Sequence, residues 1–352
     1  MKKPIRVVVV DDSALMRQML TKLLSQDGEI EVVGAARDPL EARDMIKATN
    51  PDVITLDVEM PRMDGLSFLE KIMTLRPMPV IMVSSLTQSN SDTTIRALEI
   101  GAFDYVSKPD GAEGHGFEVM RDELLTKVKA AASARIMPRR SPAAVPAPVL
   151  APPRRAGANR FIAIGASTGG VERIREVLTA LPEQCPPIVI TQHMGPAYLA
   201  SFAARLDKLA QPSVQLASQG ARLRQGVVYI APGDAHLAVA RDSGGFFCQL
   251  HDAPPVSGHK PSVDVLFNSV ASVAGANVVG VILSGMGRDG AAGMAAMRAA
   301  GAYTIGEQES SCVVYGMPRM AKEAGGVVIE LSLNKIAGEM LRALDAIGDK
   351  PR

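Results

Sequence analysis

The sequence predicts an α/β protein of two domains, each built around a largely parallel sheet with helices on both of its faces. Three observations carry this. Short β-branched runs alternate with helix-period segments over residues 6–107, a proline-rich stretch interrupts the pattern, and the alternation resumes at residue 161. At 352 residues and 47% apolar composition the chain can fill more than one core.

In the first half the strand candidates are RVVVV at 6–10, VITL at 53–56, VIMVS at 80–84 and YVS at 105–107. Between the first two, Leu15, Met16, Met19, Leu20, Leu23 and Leu24 recur on one helical face. Residues 135–157, RIMPRRSPAAVPAPVLAPPRRAG, hold six prolines between 138 and 153 and show neither period, which suits a semi-rigid spacer. The expected division is therefore 1–130, a linker over 131–157, and 158–352.

In the second half strands are expected at 161–165, 188–192, 227–230, 236–239, 246–250, 278–283 and 327–330, with helices at 170–180, 197–209, 262–273, 290–300 and 333–346. The strands between 227 and 250 lie close enough for a hairpin or a meander, so the sheet is expected to be partly antiparallel.

Composition narrows the function classes. No apolar run approaches the roughly 18 residues of a membrane span, and MKKPIRVVVVDD meets acids too early for a secretory signal, so a cytoplasmic protein without membrane insertion is expected. Cys185, Cys248 and Cys312 form no metal or disulfide spacing and read as core thiols. A net charge of +1 with intermixed signs gives no footprint for nucleic acid.

In open parallel sheets ligands gather beyond the carboxyl ends of the strands. In the first half those ends carry Asp11 and Asp12, Asp57, Ser84 and Ser85, and Lys108. Any one aspartate there also serves as an ordinary turn residue. Together, three carboxylates form a hard oxygen set suited to Mg²⁺, and Lys108 is placed to pair with an added phosphoryl group. The segments VVVVDDS, LDVEMPRMDGLSFL, MVSS and GAFDYVSKP resemble the receiver domain of two-component response regulators over residues 4 to about 125. The resemblance implies a flavodoxin-like sheet of order 2-1-3-4-5 and phosphorylation of Asp57 by a histidine kinase. It further implies Mg²⁺ held by Asp11, Asp12, Asp57 and the Glu59 carbonyl, phosphoryl contacts from Ser84 and Lys108, and a switch position at Tyr105.

The second half offers three groups at strand ends. FIAIGASTGG places Ser167 in a G-x-S-x-G turn between a strand and a helix, where a serine serves equally as nucleophile or N-cap. PIVITQHM brings His193 to the next strand end, and VVGVILSGMGRDG brings Asp289, which also suits a helix cap. Each has a structural use alone; serine, histidine and aspartate at three ends of one sheet point to nucleophilic catalysis. A phosphate loop is disfavoured, because the glycines read G-x-x-x-G-G with no following lysine.

The blocks IGASTGG, TQHM, APGDAHL, HKPSVDVLF, LSGMGRDGAAGM and VVYGMPRMA resemble the catalytic domain of the CheB family of chemotaxis protein-glutamate methylesterases, over residues 161 to about 323. This implies hydrolysis of glutamyl methyl esters and deamidation of glutamines on methyl-accepting chemoreceptors, with a chemotaxis histidine kinase as phosphodonor. It implies Ser167 as nucleophile, His193 as base and Asp289 as the group orienting the histidine. No cofactor is expected for the ester chemistry. Backbone N–H groups near Thr168 and Gly169 and in the Gly285-Met286-Gly287 loop are the candidate oxyanion donors. Met286, His259 and Lys260 are candidates to line the substrate approach, while His236 and His251 read as structural. Gly195 stands where the family commonly has proline. The order of domains implies that phosphorylation relieves a masking of the Ser167 rim. The rival reading is a receiver-controlled binding module for a nucleotide or a protein, without hydrolase activity.

Overall fold

The valine run of the N-terminus forms an interior strand of the first sheet, and Val7, Val8, Val9 and Val10 are all buried, as a strand covered on both faces requires. The structure, a computed structural model, describes residues 3–60, 64–85, 87–109, 114–134, 150 and 159–347. Most of the expected linker lies outside the described residues. The chain divides into two units, Met1–Ala143 and Ala144–Arg352.

The first unit runs β1 (Ile5–Val10), α1 (Ala14–Leu24), β2 (Ile30–Ala36), α2 (Pro39–Thr49), β3 (Val53–Asp57), α3 (Gly65–Leu75), β4 (Val80–Ser84), α4 (Gln88–Ile100), β5 (Asp104–Ser107) and α5 (Gly114–Ser133). Its strands pair in parallel in the order β2-β1-β3-β4-β5. Helix starts are set by short polar side chains: Ser13, Asp38, Asp64 and Thr87 each accept a backbone N–H from the first turn that follows. Strand β2 was not among the runs picked out above. Its sequence IEVVGAA ends in small residues, and an added Cβ at Gly34 would meet the Met45 sulfur at 2.9 Å.

The second unit runs β6 (Phe161–Ala166), α6 (Gly170–Thr179), β7 (Ile188–Gln192), α7 (Pro196–Leu209), β8 (Ser213–Leu216), β9 (Val227–Ile230), β10 (His236–Asp242), β11 (Gly245–His251), α8 (Val263–Ala274), β12 (Val278–Ile282), α9 (Ala291–Ala299), β13 (Tyr303–Glu307), α10 (Met317–Glu323), β14 (Ile329–Leu331) and α11 (Leu333–Ile347). Seven strands form one parallel sheet, β14-β13-β12-β6-β7-β9-β8. The antiparallel part is a separate ribbon, β10 with β11. Leu237, Val239, Phe246 and Cys248 of that ribbon bury against Phe161, Val263 and Phe267, so it caps the core and adds no strand to the main sheet.

Strands β8 and β13 and helix α10 were not foreseen. β8 is four residues with exposed Ser213 and Gln215, and β13 carries Gly306 and Glu307, a composition that reads as loop until the sheet buries it. No described helix is long and apolar enough to cross a membrane. The three cysteines are free and buried, and burial pushes Cys185 and Cys248 up to about 12.

The order of the sheet decides where a site can form. From β6 the chain winds outward through β7 and returns on the other side at β12, so the switch point falls between β6 and β12. Ser167 follows β6, His193 follows β7, and Asp289 lies in the loop after β12.

Candidate active site

Adjacent strands β6 and β7 pair Ala166 with Gln192, and the His193 N–H donates to the Ala166 carbonyl at 3.1 Å. Ser167 and His193 are thus the next residues outward on neighbouring strands, whose axes lie about 4.8 Å apart. The Ser167 N–H donates to the Ser284 carbonyl at 3.1 Å, tying it to the end of β12 as well. Its Cβ packs over Gly285, where an added Cβ would come within 2.9 Å.

His193 Nε2 lies 2.7 Å from Asp289 Oδ2, with both side chains almost wholly buried. Asp289 is saturated with donors: Ser262 Oγ at 2.9 Å, Val263 N–H at 2.7 Å and Asp264 N–H at 3.1 Å. These come from the N-terminus of α8, whose positive end favours a carboxylate. Burial pushes the Asp289 carboxyl up, but His193 and the two backbone donors outweigh it and hold it down at about 2. Asp264 returns the contact to the neighbouring helix, accepting the Gly293 N–H at 2.7 Å. Its own carboxyl is raised by burial and by the charge of Asp289.

With Nε2 engaged by the carboxylate, Nδ1 is the ring atom left to act. It is buried and has no hydrogen-bond partner among the described residues. The hydroxyl-to-imidazole link is therefore not closed here, while the imidazole-to-carboxylate link is. His259 lies parallel to His193 at 3.7 Å between ring centroids, held on a tight turn by reciprocal backbone bonds between Val256 and His259. A stacked neighbour of this kind restricts rotation of the His193 ring.

Ser262, His236 and Asp289 form a second connected set, and its geometry is that of a support. The Ser262 hydroxyl donates to Asp289, and only its backbone N–H reaches His236 Nδ1, at 3.1 Å. Accepting at Nδ1 leaves the His236 proton on Nε2, which faces the Pro254 carbonyl at 3.1 Å. Both Ser262 and His236 are fully buried, so this set fixes the start of α8 and through it Asp289.

Of the other expected residues, Thr168 is buried, Gly169 sits at φ +78°, and Met286 is half-buried between Gly285 and Gly287. The Gly285 N–H is already committed to the Val314 carbonyl at 3.1 Å. Gly195 is the N-cap of α7 with φ −71°, so the position demands no glycine. Several residues that touch the site carried no signal read in the sequence. Gln192 Nε2 donates to the Ser167 carbonyl at 2.9 Å, and buried Glu307 accepts the Ser284 N–H at 2.8 Å. Glu307 was missed because β13, whose end it marks, was missed.

The first unit gathers Asp11, Asp12 and Asp57 at the ends of β1 and β3, with one carboxylate oxygen of each within 4.8 Å of the others. Lys108 Nζ bridges Asp11 Oδ2 at 3.0 Å and Asp57 Oδ1 at 2.9 Å. Burial and the neighbouring Asp11 charge push Asp57 up to about 6 against the pull of Lys108. Burial pulls the Lys108 ammonium down, but Asp57 and Asp11 together leave it raised. The Ser84 hydroxyl is buried and accepts from Thr94 Oγ1 of α4 at 3.0 Å. Tyr105 is buried, with Lys127 Nζ 4.9 Å from its ring centre. An all-oxygen pocket of this charge is typical of a Mg²⁺ site.

Comparison with known proteins finds a family for each unit. Residues 162–340 match the CheB methylesterase family, and residues 7–114 match the response regulator receiver domain. The chain belongs to the CheB methylesterase family. A protein-glutamate methylesterase/protein-glutamine glutaminase of Salmonella choleraesuis is 54% identical over 97% of both chains, and one of Escherichia coli O157:H7 is 53% identical over the same shares. The crystal structure of the Thermotoga maritima CheB methylesterase catalytic domain superposes with a TM-score of 0.51 at 34% identity, covering 52% of this chain and 98% of that one. In this CheB family member the two matched regions coincide with the two parallel sheets.

Proposed function

We propose that the chain is a phosphorylation-controlled hydrolase that demethylates glutamyl methyl esters, releasing methanol, and deamidates glutamines on cytoplasmic helices of methyl-accepting chemoreceptors. The observation that carries this is the 2.7 Å contact of His193 with Asp289, which leaves a buried, unpartnered Nδ1 on the strand next to Ser167.

The serine hydroxyl is a weak nucleophile until a base takes its proton. As the Ser167 side chain turns toward His193, Nδ1 accepts that proton while Oγ adds to the ester carbonyl. Asp289 holds the proton of Nε2 and stabilises the imidazolium. The carbonyl oxygen gains negative charge and is met by backbone N–H groups of Thr168 and Gly169 and of the Met286 loop. His193 then returns the proton to the leaving methoxide, methanol departs, and water attacks the acyl-enzyme by the same relay to restore Ser167 and the glutamate. With a glutamine, ammonia leaves in place of methanol. Met286 and His259 border the approach of the receptor helix.

In the receiver, Asp57 takes a phosphoryl group from a chemotaxis histidine kinase. Asp11, Asp12, Asp57 and the Glu59 carbonyl would hold Mg²⁺, which supplies charge neutralisation for the crowded carboxylates. Lys108 and Ser84 would contact phosphoryl oxygens, and the Ser84–Thr94 bond gives a route for their movement to reach α4. The reaction needs no cofactor at Ser167, and a cytoplasmic site of action suits receptor helices as substrate.

Methylated receptor membranes test this: the protein releases methanol, and Ser167→Ala releases none above background. Normal release by Ser167→Ala overturns the assignment, and no release by the unaltered, phosphorylated protein favours the receiver-controlled binding module.

A further inference from the structure

Between β6 and α6 the chain makes a turn over Ser167–Gly170, closed by the Gly170 N–H donating to the Ser167 carbonyl at 2.7 Å. Gly169 lies at φ +78° and ψ −5°, the values of the third residue of a type II turn. Type II differs from type I in the direction of the central peptide, here the one joining Thr168 to Gly169. A trans peptide is planar, and its C=O and N–H point opposite ways. Whatever holds the Thr168 carbonyl therefore also aims the Gly169 N–H.

The holder is Ser284, a fully buried residue just beyond β12. Its Oγ donates to the Thr168 carbonyl at 2.9 Å, the nearer of two acceptors, the Val314 carbonyl lying at 3.3 Å, and accepts the Val314 N–H at 3.0 Å. Its own peptide groups are pinned as well. The N–H donates to Glu307 Oε2 at 2.8 Å, and the carbonyl accepts the Ser167 N–H at 3.1 Å. Glu307 in turn faces Arg173 Nε of α6 at 3.7 Å, and Arg173 donates to the Ser311 carbonyl at 2.9 Å. The buried Glu307–Arg173 pair thus braces a serine whose hydroxyl fixes the peptide next to Ser167. On the Ser167–Thr168 peptide the same is done by Gly170 and Gln192, which hold the Ser167 carbonyl and so fix the Thr168 N–H antiparallel to that carbonyl.

We infer that the Ser284 hydroxyl is a positioning group for ester hydrolysis: it latches the Thr168–Gly169 peptide in its type II direction and so presents the Gly169 N–H to the oxyanion. The inference rests on the reading of Ser167 as nucleophile. Loss of the latch frees the central peptide to flip and removes one donor for part of the time. A fully removed oxyanion donor costs about 100- to 1,000-fold in turnover, so about 10- to 100-fold is expected here.

The test is Ser284→Ala in the full-length, phosphorylated protein with methylated receptor membranes. The expected result is kcat lowered about 10- to 100-fold with KM within about twofold of the unaltered protein. A small alkyl boronic acid, which adds to a serine Oγ and mimics the tetrahedral adduct, should weaken in Ki by a similar factor. Ki does not depend on the fraction of active protein, so a merely structural role would leave it unmoved. Ser284→Cys, which keeps a weak donor, should fall between, and carries the same test if Ser284→Ala does not fold. A kcat within twofold, or an unchanged Ki, overturns the inference. Ser167→Ala run alongside separates the two claims. If it turns over normally the nucleophile assignment fails; if it is dead while Ser284→Ala matches the unaltered protein, only the latch is wrong.

Discussion

Two aspartates at the carboxyl ends of central parallel strands, Asp57 after Leu56 and Asp289 in the loop after β12, meet opposite environments. Asp57 is pushed up to about 6, because burial and a second carboxylate surround it and a lysine only partly offsets them. Asp289 is held at about 2, because a helix N-terminus, a hydroxyl and an imidazole all point at it. The first site is short of positive charge and stays receptive to a cation and to covalent change. The second is already satisfied and acts as a fixed support. On the proposed reading, a switch and a catalyst are made from one residue type by the supply of hydrogen-bond donors.

The comparison breaks most visibly at Asp57. Asp57→Asn replaces the acceptor carboxylate by an amide, and incubation with Mg²⁺ and a small acyl phosphate should then give no phosphoryl adduct by mass spectrometry. The unaltered protein should gain one group, on the peptide containing Asp57. A next largest effect is expected at the second aspartate. Asp289→Asn turns one of its two acceptor oxygens into a donor and favours the wrong tautomer of His193, which should lower kcat for methanol release by about 1,000- to 10,000-fold.

Stability against pH sharpens the contrast further. A carboxyl held down at about 2 from its ordinary 3.8 contributes stability that is fully present above pH 3.8 and lost as pH falls through about 2. The shift corresponds to about 2 kcal/mol, read as the difference in unfolding free energy of the second unit between pH 5 and pH 2. Asp289→Asn should be less stable at pH 5 and should lose that part of the acid dependence. An unchanged acid dependence would show that the α8 donors do not favour the charged form.

Much of this was legible in the sequence where strands are apolar and end in reactive side chains. Val7–Val10, Ile188–Gln192 and Val278–Ile282 are buried runs, and reading the residue beyond the first two and the loop beyond the third led to Asp11, His193 and Asp289. The parts that stayed hidden depend on distant pairing. Glu307 closes a strand too polar to stand out, and Ser284 looks like one more small residue in a glycine-rich loop. Only when β12, β6 and β13 lie together does the serine become the joint among Ser167, Thr168 and Val314. Ser262 was visible as part of a motif, yet its hydroxyl bond to Asp289 spans 27 residues of sequence and required the α8–α9 pair to be formed. The antiparallel ribbon was foreseen as a hairpin, but its separation from the main sheet follows from packing of β10 on α8.

The central claim is that Ser167, activated by His193, is the attacking group. A serine-directed phosphonofluoridate followed by peptide mass spectrometry tests it most directly, since it identifies which hydroxyl is nucleophilic. The account predicts an adduct on the peptide carrying Ser167 that is lost in His193→Gln. An adduct on Ser262 or Ser284, or labelling of Ser167 at an unchanged rate without His193, would contradict it.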